Sequence, residues 1–163
     1  MADDYTLAKD PLGFYRVDPV PSQEVVETFY ANEFYSGEFQ TFNDSSKEVQ
    51  LRDREFYEGR WEDIRTHLAR FLGREQFSLF DIGCGFGLAL SHYQSKGIRV
   101  SGLDPAPEAV AYAKSNGIDA HVAGIEDFSC AGDARFDAVT LLNVLEHLRY
   151  PEETLCRIKE DLL

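Results

Sequence analysis

The 163-residue chain has no apolar run approaching the length that spans a bilayer, and its first residues lack the apolar core of a secretion signal. No membrane association is expected. Cysteine is scarce: Cys84, Cys130 and Cys156 lie far apart, without metal-ligand spacing, and their odd number speaks against a disulfide framework. A reducing, cytoplasmic setting fits, and no metal is expected. Basic residues are few, 16 Lys and Arg against 29 Asp and Glu. The net charge of −13 argues against a nucleic-acid partner, because phosphates need a basic surface.

With 28% charged and 44% hydrophobic residues, the chain reads as one globular domain able to bury a single core. Its organising stretch is Phe77-Ser78-Leu79-Phe80-Asp81-Ile82-Gly83-Cys84-Gly85-Phe86-Gly87. An apolar strand runs into three glycines spaced by two, and a helical segment from Leu88 to Lys96 follows. Strand, tight turn and helix start together make the nucleotide-binding corner of a doubly wound α/β domain. Gly83 and Gly85 let the backbone approach a ligand, and N–H groups at the helix start are expected as donors. Asp81 decides which ligand: a carboxylate before the turn repels a pyrophosphate and favours a cation. The third glycine, Gly87, also comes one residue too early for the dinucleotide fingerprint. Cys84 is read as a small packing residue of the turn.

With Asp81 before it, Asp81-Ile82-Gly83-Cys84-Gly85-Phe86-Gly87 resembles the first motif of class I S-adenosylmethionine-dependent methyltransferases. The resemblance covers Phe77 to Leu163 and implies a small-molecule methyl acceptor, with S-adenosyl-L-homocysteine as the product. It places the glycine loop at the methionine end of the cofactor and Asp81 on its ammonium. A second strand, Ile98 to Leu103, ends in Asp104-Pro105, where the doubly wound fold puts the acid that grips the ribose hydroxyls. Asp104 also reads as the N-cap of a helix from Pro107 to Asn116, and the two roles are compatible. After a third strand, Ile118 to Ala123, the family places a loop that reads the adenine edge. Here it is Gly124-Ile125-Glu126-Asp127. Glu126 or Asp127 supplies the side chain, or Ile125 and Glu126 act through backbone N–H groups, or Asp127 belongs to a solvated turn.

The fourth strand, Phe136 to Leu142, leads into Asn143-Val144-Leu145-Glu146-His147-Leu148, similar to the corresponding segment of small-molecule methyltransferases, including those acting on quinone precursors. Asn143 is expected to face the crevice as a cofactor-binding residue. Glu146 and His147 are the candidates to polarise or deprotonate an acceptor, against the alternative of a structural histidine at a helix start. Tyr150-Pro151 opens a last helix with Leu155, Ile158 and Leu162 on its buried face.

Upstream, Met1 to Pro21 is punctuated by Pro11, Gly13, Pro19 and Pro21 and reads as irregular, pinned by Phe14, Tyr15 and Val17. Ser22 caps a helix through Ala31, an aromatic loop spans Asn32 to Asn43, and one long helix runs from about Leu51 to Leu72, burying Tyr57, Trp61, Ile64, Leu68, Phe71 and Leu72 until Gly73 stops it. Such a segment resembles the cap that many small-molecule methyltransferases place over the cofactor, with Tyr30, Tyr35, Tyr57 and Trp61 as candidates to face the site.

The expected architecture is therefore a Rossmann-like, doubly wound, mostly parallel sheet of four strands in the order 3-2-1-4. A helical cap over residues 1–76 precedes a cofactor-binding core over 77–163. The family sheet has seven strands, so the chain reads as truncated after the fourth, with an exposed fourth-strand edge open to self-association. Two other functions stay open. One is a non-catalytic S-adenosylmethionine-binding or interaction module; the other, disfavoured by Asp81 and the glycine spacing, is an NAD-dependent oxidoreductase.

Overall fold

The structure, a computed structural model, describes residues 5–11, 13–32, 47–126 and 135–163. The calls on Tyr35, on the loop from Asn32 to Asn43 beyond Asn32 itself, on Asp127 and on Cys130 lie outside the described residues. The N-terminal stretch is not irregular. It forms an antiparallel hairpin of β1 (Thr6–Lys9) and β2 (Tyr15–Asp18), with Leu7 opposite Val17 and Lys9 opposite Tyr15. Pro11 and Gly13 delimit its turn, where they were read as breaking all regular structure. Phe14, Tyr15 and Val17 are exposed on the hairpin, so they do not pin it to the core.

Helix α1 (Gln23–Asn32) starts as expected: the Ser22 hydroxyl accepts the Val25 N–H at 3.4 Å. The expected single long helix is two, α2 (Lys47–Arg52) and α3 (Arg54–Leu72). Asp53 separates them with a non-helical backbone, its carboxylate paired with Arg52 at 2.6 Å. A short acidic side chain competes poorly inside a helix and readily marks a new start. Gly73, left-handed at φ 68°, ends α3. Trp61 is buried on α3, but Phe71 is 88% exposed and does not join its apolar face.

From there strands and helices alternate: β3 (Ser78–Ile82), α4 (Leu88–Ser95), β4 (Arg99–Asp104), α5 (Pro107–Ser115), β5 (Ala120–Val122), β6 (Ala138–Thr140) and α6 (Pro151–Asp161). The four later strands form one parallel sheet in the order β5-β4-β3-β6, which is the expected 3-2-1-4. Every residue of β3 is buried, as a central strand covered on both faces requires. Leu79 and Val100 join the core formed with α3, α4 and α5, while Phe80, Ile82 and Leu103 pack with Phe136, Ile158 and Leu162. Ser78 and Asp137 lock the start of β3 to that of β6: the Ser78 N–H and hydroxyl both donate to one Asp137 oxygen, at 2.8 and 3.0 Å.

The later elements depart from expectation at several points, β5 among them, holding three residues where Ile118 to Ala123 was expected. The fourth strand is three residues long instead of running from Phe136 to Leu142. The Phe136 N–H donates to the Leu162 carbonyl, outside the sheet. On α6 the buried positions are Thr154, Ile158 and Leu162, while Leu155 is 45% exposed.

Candidate functional site

The carboxyl ends of β3 and β4 lie side by side, with the glycine turn folded across them. Gly83 and Cys84 N–H groups both donate to the Leu103 carbonyl, at 2.8 and 2.9 Å. Gly83 is left-handed at φ 76°, and a Cβ there would meet Val144 Cγ2 at 2.3 Å, so the turn and the segment after β6 touch through a hydrogen-sized side chain. The Gly85 N–H donates to Asp104 Oδ2 at 2.8 Å, and the Ala106 N–H to Asp104 Oδ1 at 2.9 Å. Asp104 thus ties the turn to the start of α5. A carboxylate has about four acceptor positions, so two remain for a ligand.

The N–H groups of Gly83, Cys84, Gly85 and Gly87 are already engaged within the protein, the last by the Cys84 carbonyl at 2.9 Å. Four turn amides are thus spent on the protein, while the helix-start amides of Leu88 to Leu90, the ones expected as donors, are not among them.

Asp81, 3% exposed at the end of β3, accepts the Thr140 hydroxyl at 2.6 Å. Burial pushes its carboxyl up to about 7, against the opposing Thr140 bond, and the Asp104 charge adds to the rise. Burial likewise lifts Asp104 to about 6, although the Ala106 and Gly85 amides pull it down. Two neighbouring carboxyls raised chiefly by burial mark this corner as a candidate functional site. Burial also raises the Cys84 thiol, which fits a packing residue and not a nucleophile.

Above them lies a cavity of about 480 Å³. Its floor and walls come from Asp81, Gly83, Cys84, Gly85, Asp104, Pro105, Ile125, Glu126, Asn143 and His147; its other side is lined by Tyr30, Gln50, Tyr57, Arg60 and Trp61 of α1, α2 and α3. The Tyr30 hydroxyl is pushed up to about 12 by burial and by the Asp104 and Glu146 charges.

Residues 80–162, just over half of the chain, match the family described as methyltransferase domain. The chain belongs to that family. A ubiquinone biosynthesis O-methyltransferase of Xanthomonas oryzae pv. oryzae is 35% identical over 79 residues, covering 45% of this chain and 33% of that protein. One from a Methylobacterium species is 40% identical over 99 residues, covering 52% of this chain and 39% of that protein. The chain therefore spans between a third and two fifths of the length of these curated relatives. Among solved structures, the plantazolicin methyltransferase BpumL with a desmethylPZN analog and SAH superposes with a TM-score of 0.66 at 20% identity, over 86% of this chain and 55% of that one. SAM-bound CalS10, an amino pentose methyltransferase from Micromonospora echinaspora, gives 0.57 at 21% identity, over 70% of this chain and 52% of that one. The fold is the class I methyltransferase fold.

Within this methyltransferase domain, most of the residues singled out in the sequence come together around the cavity. Gly87 does not line it. It is left-handed at φ 70°, and a Cβ there would lie 2.9 Å from Ala113 Cβ, so its role is the packing of α4 on α5. Glu146 is exposed and outside the lining, although its charge reaches Tyr30. Asn143 holds a left-handed backbone at φ 56°, uncommon for a side-chain-bearing residue, directly after the sheet. Sequence reasoning missed Thr140, Gln23, Val26, Gln50, Arg60 and Arg149. The spacing of Gln23, Val26 and Tyr30 along one face of α1 was the available signal for two of them. For Arg60 and Arg149 a polar residue among others carried none.

Among the described residues no helix is long and apolar enough to cross a membrane, and no group of His, Cys, Asp or Glu is arranged to hold a metal ion.

Proposed function

We propose that the cavity binds S-adenosylmethionine and that the complete site transfers its methyl group to a small-molecule acceptor. One observation carries this reading: two buried carboxyl groups, Asp81 and Asp104, bracket a glycine turn four of whose amides already bond within the protein. Such a site receives a cation and hydroxyl groups and resists a pyrophosphate, which disfavours a nicotinamide dinucleotide. Bound there, the cofactor supplies a methyl already activated by its positively charged sulfur. The chain's own part is positioning. Asp81 takes the ammonium, Asp104 the ribose hydroxyls through its remaining lone pairs, and Ile125 and Glu126 the adenine edge. Arg60, the cavity-lining cation of α3, is the group suited to the carboxylate. Asn143 contacts the cofactor, and His147 is the candidate proton acceptor, with Glu146 as its neighbour.

Residues 1–76 act as a cap over the core of residues 77–163, a reading supported by the α1, α2 and α3 side chains in the cavity lining. The curated relatives named O-methyltransferases favour an oxygen nucleophile on a small acceptor. A cytoplasmic protein that self-associates through the outer edge of β6 belongs to the same reading, β6 being the edge strand beside β3 among the described residues.

The test is incubation with methyl-labelled S-adenosylmethionine and a panel of phenolic, amine and carboxylic acceptors. Label on a phenol supports the full reading. Cofactor binding without transfer to any acceptor favours the binding-module alternative. Neither binding nor transfer overturns both.

A further inference from the structure

Arg149 stands at the junction of three stretches that the sequence keeps far apart. Its Nε–H donates to the Pro21 carbonyl at 2.9 Å, one residue ahead of the α1 cap. Its Nη1 donates to Glu126 Oε2 at 3.3 Å, in the turn after β5. The guanidinium is 5.1 Å from the Tyr150 ring centre, and the side chain is only 18% exposed. The Glu126 turn is gripped a second time, its carbonyl accepting from Arg157 Nη1 of α6 at 2.8 Å. Both ends of this bridge carry cavity-lining residues: Gln23, Val26 and Tyr30 follow Pro21, and Gly124 and Ile125 precede Glu126.

We propose that Arg149 is a positioning residue that fastens α1 to the cavity wall formed by the Glu126 turn. A planar guanidinium donates from Nε and Nη in fixed, diverging directions, which lets one side chain hold a backbone carbonyl and a carboxylate together. The ammonium of a lysine is a point charge without that fork. Because α1 and the Glu126 turn share one clasp, a ligand that holds the turn still also holds α1. By reciprocity, loosening α1 weakens the ligand. The identity of that ligand rests on the function proposed above; the clasp does not.

Hydrogen exchange on the ligand-free protein tests the clasp directly. In Arg149→Gln, the α1 amides from Val26 to Tyr30 should exchange about tenfold faster than in the wild type, the scale of losing a charge-assisted bond. Amides of β3 and β4 should be unchanged. S-adenosylhomocysteine should slow α1 exchange in the wild type and far less in the variant, with affinity falling about tenfold, and Arg149→Lys should behave like Arg149→Gln. Unchanged α1 exchange in the ligand-free variant, or full rescue by lysine, overturns the proposal. If the wild type fails to bind S-adenosylhomocysteine, the proposed function falls while the ligand-free comparison still decides the clasp. Should Arg149→Gln fail to fold, Glu126→Ala removes one arm only: α1 exchange about threefold faster supports the clasp, and no change overturns it.

Discussion

Replacing Asp81 by asparagine separates what its charge costs the fold from what its shape contributes. In the wild type the carboxyl moves from an ordinary 3.8 to about 7 on folding, chiefly through burial. Between about pH 4 and 7 the folded chain therefore keeps a proton that the unfolded chain releases, and stability falls as pH rises through that window. Taken alone, a carboxyl moved that far costs on the order of 4 kcal/mol of stability above pH 7. Asp81→Asn does not titrate, and its amide oxygen still accepts from Thr140. The variant should match the wild type near pH 4 and exceed it progressively toward pH 8. For a chain of this size, at about 2–4 °C per kcal/mol, the gap in melting temperature should reach roughly 8–16 °C. Asp104 titrates in both proteins, so most of its contribution cancels in the difference. Thermal unfolding of the two proteins from pH 4 to 8 measures this. S-adenosylmethionine should close the gap at pH 8 by stabilising the wild type alone. Parallel curves across the pH range would refute the claim that the buried charge is an unmet demand for a cation.

Other expectations follow from single contacts. Gly83→Ala should cost about 1–2 kcal/mol in left-handed backbone strain and more through the Val144 clash, and should abolish cofactor binding; urea unfolding and titration read the two effects separately. Thr140→Val removes a hydroxyl donor to a buried carboxylate and should lower stability by about 1.5–3 kcal/mol above pH 7, where Asp81 is ionised, and by less at pH 5. Light scattering should show association growing with protein concentration; a concentration-independent monomer counts against the edge-pairing reading.

The doubly wound core was legible because its signals are local. Phe77 to Gly87 carries an apolar strand and the glycines of one turn in eleven consecutive residues, and Asp104-Pro105 marks the next strand end. The short β6 was overdrawn because apolarity extends from Phe136 to Leu142, whereas pairing stops where the Phe136 amide turns to Leu162. The hairpin at Thr6–Asp18 was missed because Pro11 and Gly13 mark a turn as readily as a break. The engaged state of the Gly83, Cys84 and Gly85 amides was out of reach too, since it depends on where the Leu103 carbonyl and Asp104 lie in the neighbouring strand. Thr140 and Arg149 share that difficulty: Thr140 is 59 residues from the Asp81 it bonds, and Arg149 is 128 from Pro21. The aromatic residues Tyr30, Tyr57 and Trp61 could be named as site candidates, but only the packing of α1 and α3 over the sheet brings them to the cavity.

The central claim is that Asp81, Asp104 and the turn between them form an adenosyl-cofactor site. Calorimetric titration of the wild type with S-adenosylhomocysteine, S-adenosylmethionine and NAD tests it most directly, with the fluorescence of Trp61, the chain's one tryptophan, as an in-cavity reporter. The account predicts one site per chain for both adenosyl ligands, a Trp61 signal saturating in step with the heat, and no competition by NAD. Tighter binding of NAD, or adenosyl binding that leaves both Trp61 and an Asp104→Ala variant unaffected, would contradict it.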